Sequence, residues 1–178
     1  MKKILSALTA LVLVIALLAG SACAQGYSSY DDIFNQHMIF HFPQIFIMMD
    51  RSAYAGVTED GIVDCIEYGV EGDTICEWVE TIYFPLAGVT QEEYATMQDR
   101  LHSIYDVIDA EFFASVSYEY LTTYYKMTLK ITDLDNPNYV HRLTELGLLT
   151  EYIDIISMSL TEQNLLAQGY LKDPDSTY

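Results

Sequence analysis

Two histidines four residues apart, His37 and His41, are followed by Met48, Met49 and Asp50. On a helix, positions i and i+4 share a face, and imidazole with thioether forms a ligand set for a transition metal. Pro43 stands just beyond them, so one helical turn at best could carry both rings. No further His or Cys has ligand spacing nearby, which makes the packing of an apolar insert the simpler account. The run Asp133-Leu134-Asp135-Asn136-Pro137-Asn138 opens like a calcium loop, but it has Pro at the fifth place and no Gly at the sixth. A helix cap followed by a first-turn proline explains the same residues with less. Acid–base work would need paired carboxylates, and Asp64 with Glu67 or Glu77 with Glu80 could be drawn as such pairs. With 26 Asp and Glu against 8 Lys and Arg, such pairs are unavoidable, and a solvated face accounts for them. His102 and His141 fall inside predicted helices, and no serine occupies a G-x-S-x-G elbow. These residues assign no catalytic group, no metal and no cofactor.

A formal net charge of -18 excludes nucleic acid as a partner, since phosphate neutralisation needs clustered cations. Docking on anionic lipid through a basic face is disfavoured for the same reason. At 51% hydrophobic and 13% aromatic residues, the chain is too apolar for a disordered acidic tail.

Lys2 and Lys3 precede an apolar run from Ile4 to Leu18, and Ala19-Gly20-Ser21-Ala22-Cys23-Ala24 makes a small-residue exit. That layout predicts a secretory leader over residues 1–24. Two processing routes stay open. Ala22-Cys23-Ala24 fits signal cleavage, while Cys23 after small residues fits lipidation, although Gly20 stands where the lipoprotein signal usually has Leu. No later apolar run reaches spanning length, so the exported chain is expected to be soluble apart from any anchor.

The elements that must carry any site follow from local pattern. Residues 25–61 read as a tether and an apolar segment of uncertain structure, and residues 62–178 as the folded domain. Ile62 to Tyr68 and Thr74 to Phe84 form a hairpin around Gly69-Val70-Glu71-Gly72-Asp73. Thr90 and Glu93 make a capping box, and Tyr94, Met97, Leu101, Ile104 and Ile108 then recur at helical spacing. Phe113 to Leu121 and Tyr124 to Thr132 alternate as a second hairpin with one buried face. Asp135 or Asn136 caps a helix that begins at Pro137 and leaves at Gly147. Tyr152 to Ser157 reads as a late strand. Ser159 and Glu162 form a further capping box, opening a helix that ends at Gly169. The expected class is α+β: a largely antiparallel sheet of two hairpins and a late strand, with three helices on one face.

Taken in order, Gly72-Asp73-Thr74-Ile75, Val89-Thr90-Gln91-Glu92-Glu93, the Tyr-rich hairpin, Leu143-Thr144-Glu145-Leu146-Gly147-Leu148, and Tyr152-Ile153 through Thr161-Glu162 to Ala167-Gln168-Gly169-Tyr170 form a recurring layout. In this, the chain resembles the YehR-like family of small bacterial lipoproteins, over roughly Ile62 to Lys172. The resemblance implies an envelope protein anchored to the membrane through lipidated Cys23, and it brings no catalytic residue.

Cys65 and Cys76 sit on the two arms of the first hairpin, so register decides whether they meet. A two-residue Val70-Glu71 loop sets them face to face. A left-handed bulge at Gly72 sends them to opposite faces, and the family's Gly-Asp turn favours that geometry. The functional expectation is an exported envelope lipoprotein that binds an envelope or extracellular protein without catalysis, touching the membrane only through its anchor. An extracytoplasmic enzyme, or a weak cation binder suggested by the charge alone, is the alternative.

Overall fold

The computed structural model describes residues 27–37 and 49–178. Six strands form one antiparallel sheet in the order β4-β5-β3-β2-β1-β6. They are β1 (Asp50–Val57), β2 (Val63–Glu71), β3 (Thr74–Pro85), β4 (Ala114–Tyr120), β5 (Tyr124–Ile131) and β6 (Leu171–Lys172). The helices are α1 (Tyr30–His37), α2 (Gln91–Asp109), α3 (Pro137–Glu145) and α4 (Met158–Ala167). The α+β expectation therefore stands.

β5 shows how the sequence builds the sheet. Tyr125, Met127, Leu129 and Ile131 are buried while the residues between them are only partly covered. Burying one such aliphatic side chain is worth roughly 1.5–3 kcal/mol. The apolar row meets Leu101, Tyr105 and Ile108 of α2, Val140 and Leu143 of α3, and Met158 and Leu165 of α4 in one core. Three helices share that face, as expected. A fourth, α1, covers the opposite face through Tyr30 and Ile33, which pack with Ala53, Ala55, Val57, Val63, Cys65 and Tyr83. Tyr30 to Asp32 are thus part of a packed helix and not of a tether.

Two further expectations are corrected. β1 lies within the stretch read as uncertain, and it pairs with β2 from Asp50↔Val70 to Val57↔Val63. The sheet therefore begins before residue 62. Tyr152 to Ser157 is not a strand: Tyr152 and Ile155 are exposed, and the segment touches the sheet at one bridge, Thr74↔Ser157. The late strand is β6, two residues long, beside β1. α4 is capped by Ser157, which accepts from the Leu160 amide, so Ser159 and Glu162 do not form its capping box.

β4 is an edge strand. Its odd-numbered backbone groups face β5, as Thr132 N to Phe113 O and Leu121 N to Tyr124 O show. The even-numbered amides point away. Glu111 O takes the amide of Ala114, and Asp109 Oδ1 takes that of Val116 at 2.6 Å.

Candidate functional site

The first hairpin closes on two residues, Gly72 and Asp73, with Glu71 opposite Thr74. Gly72 has φ 63°, the left-handed value that a first loop residue of a primed turn requires. A bulge follows: Gly69 pairs with Glu77 and Val70 with Ile75, leaving Cys76 without a partner. Cys65 accordingly stands opposite Thr81. At ~3.3 Å per residue, five positions separate the two sulfurs far beyond disulfide reach. Both are free, buried thiols, and burial raises the pKa of each. Neither register considered from sequence is the one formed.

The loop's aspartate has a defined task. Asp73 accepts from Ser157 Oγ at 2.7 Å, Ser159 N at 2.8 Å and Tyr178 Oη at 2.8 Å. These bonds, the Ser157 hydroxyl first, draw its pKa down to about 2. The Gly-Asp motif thereby ties the hairpin to the start of α4 and to Tyr178.

The other residues flagged by sequence are dispersed. Cys23 and His41 lie outside the described residues, and His37 ends α1. Asn136 caps α3 by accepting from the Asn138 amide, so Asp133 to Asn138 is a helix start. Among the described residues no group of three His, Cys, Asp or Glu could hold a metal, and no helix is long and apolar enough to cross a membrane. The carboxylate pairs drawn from sequence separate, because residues three apart on a strand face opposite ways. Glu67 turns from Asp64 to Arg51, whose guanidinium also holds Asp173 at 2.7 Å.

Register unites a different pair. Ile66 opposes Glu80 and Asp64 opposes Ile82, so Asp64 and Glu80 are diagonal neighbours on the face that α2, α3 and α4 cover. Both are buried. Tyr170, just past α4, donates its hydroxyl to Asp64 Oδ2 at 2.6 Å, while Oδ1 has no hydrogen-bond partner. Desolvation pushes Asp64 up to about 6, despite the opposing bond from Tyr170. Desolvation, then the charge of Asp64, raises Glu80 well above the carboxylate range. Two carboxyls so placed cannot both ionise without large cost, so the pair retains a proton. Tyr68, Tyr105 and Tyr170 surround it, and burial with these nearby charges raises all three phenols.

At the surface, α2 lines an open groove of about 610 Å³ with Asp99, His102, Ser103, Asp106, Val107 and Ala110. His102 Nδ1 lies 3.1 Å from Asp106 Oδ1, and its ring rests 4.2 Å from that of Tyr118. Just beyond the groove's last residue in sequence comes Phe112. The residue is 81% exposed, and its ring meets two neighbouring rings edge-on. It stands at 86° to Tyr139 with centroids 5.1 Å apart, and at 89° to Phe113 at 5.7 Å. Those two rings are stacked on each other at 4.7 Å. Arg142, one turn beyond Tyr139, binds Glu111 beside Phe112 and also Glu145, each at 2.8 Å. Sequence reasoning passed over Phe112, although a signal existed: of two consecutive aromatics entering a strand, one must face outward.

Neither a family model nor a curated protein matches the chain. Two solved structures are similar in shape. The NMR structure of the E. coli YehR protein has a TM-score of 0.54 at 16% identity, covering 73% of this chain and 94% of that one. The NMR structure of a protein from Streptococcus pneumoniae TIGR4 has a TM-score of 0.47 at 11% identity, covering 76% and 90%. The chain thus has a YehR-like fold.

Proposed function

We propose that the protein is exported, is held at the cell envelope through Cys23, and acts by binding another envelope or extracellular protein. The leader-like N-terminus supports export, and the YehR-like fold is compatible with that setting. One observation carries the binding role: Phe112, 81% exposed, stands edge-on to a stacked pair of aromatic rings. Exposed aromatic side chains bury a large apolar area on contact and serve as interface anchors. The buried carboxylates are remote from such a role, since Asp64 is engaged by Tyr170.

Site-specific photocrosslinking tests the reading. A photoreactive phenylalanine analogue at position 112, expressed in growing cells, is expected to give a discrete adduct with an envelope protein. The same analogue at exposed Glu59 is expected to give none. Loss of that contrast overturns the binding surface. Intact mass tests the anchor separately: diacylglyceryl on Cys23 supports it, and a chain beginning at unmodified Gln25 removes it.

A further inference from the structure

We infer that the partner offers a basic segment to Phe112, its lysine or arginine side chains lying on the ring with their cationic heads among nearby carboxylates. This rests on Phe112 being a binding surface. The last turn of α2 contains no basic residue. Asp106 and Asp109 lie there, where the helix already presents partial negative charge from its free carbonyls. Glu111 follows, and the neighbouring cation Arg142 is bound by both Glu111 and Glu145. The chain leading into Phe112 thus carries carboxylates at positions 106, 109 and 111 and no basic residue from 106 to 111.

An aromatic face attracts cations through its quadrupole, and the alkyl stem of Lys or Arg covers apolar surface while its head stays with the carboxylates. Such a side chain satisfies both features at once. An uncharged apolar segment would strip water from carboxylates without replacing it. A second copy of the chain would bring another formal -18 against the same face.

Binding of a dodecapeptide of alternating Lys and Gly to the purified protein, with the Glu-Gly peptide as its counterpart, tests the inference by NMR. The Lys-Gly peptide should shift the ring resonances of Phe112 and Tyr139, and weaken as salt rises. Phe112→Ala should lose about fivefold in affinity. Glu111→Gln, which leaves the ring in place, should weaken the same peptide. Equal affinity for wild type and Phe112→Ala would mean diffuse attraction to an acidic chain and would overturn the inference, as would a preference for the Glu-Gly peptide. Mapping the cellular crosslink separates the two failures. An adduct at position 112 whose partner segment is neutral or acidic sinks the basic segment alone, whereas no adduct sinks the binding surface itself.

Discussion

Tyr170 donates its hydroxyl to Oδ2 of Asp64 across 2.6 Å, linking the exit of α4 to the middle of the sheet. Tyr170→Phe leaves a buried carboxylate without its donor. The expected loss is about 1–3 kcal/mol in chemical denaturation at neutral pH. The pKa of Asp64 should also move up, because that bond holds it down.

The same carboxyl sets a pH dependence. A group whose folded pKa is raised stabilises the fold while protonated. Its contribution is complete below pH about 4 and is lost as pH rises through the folded value, about 6 for Asp64. Asp64→Asn keeps the shape and removes the charge. The variant is expected to gain on the order of 2 kcal/mol over wild type at pH 7.5 and nothing at pH 4. Urea denaturation at the two pH values checks this, and an equal effect at both would refute it.

Asp73 titrates with the opposite sign. Its lowered pKa means that its contribution is present above the ordinary carboxylate range and lost as pH falls through about 2. In Asp73→Ala, the amides of Ser159 and its neighbours should exchange faster, while those in the centre of β5 keep their protection. Hydrogen exchange read by NMR distinguishes this local release from global loss.

Gly72 can be replaced without a clash, since nothing lies within 4 Å of an added Cβ. Its φ of 63° remains unfavourable for any L side chain. Gly72→Ala should therefore cost about 1 kcal/mol, through backbone conformation alone. Thermal denaturation measures it.

The two hairpin thiols should resist alkylation in the native state, because both are buried with raised pKa values. After denaturation without reductant, Cys65 and Cys76 should each take up label. Mass spectrometry of the labelled chain shows whether both do.

What sequence made legible was local. Thr90 and Glu93 form their capping box, and Asn136 caps a helix opening at Pro137. Each is decided within four residues, so no distant contact could overrule it. β1 escaped notice because six consecutive residues, Ser52 to Val57, are buried, erasing the alternation that marks a half-covered strand. Tyr152 to Ser157 has strand-like composition, but only its end bridges the sheet, at Ser157, where α4 is capped; Ile156 enters the core while Tyr152, Asp154 and Ile155 face solvent. The buried carboxylate pair was invisible for a related reason. Asp64 and Glu80 meet only in a register displaced by the bulge at Cys76, and no local rule placed that extra residue.

The amide of Val116 has a further consequence for how copies of this protein behave when crowded together. An exposed edge strand is a template on which another chain can add its own strand, the first step towards fibres. Here Asp109 occupies that amide, and Glu111 occupies the one at Ala114. An incoming strand must break both bonds and meet a carboxylate before it can align. At the opposite edge, β6 offers two residues, and the chain beyond them bonds back to β1 through Asp173 and Thr177. The sheet is thereby obstructed at the start of β4 by a side chain, and along part of β1 by the segment that follows β6.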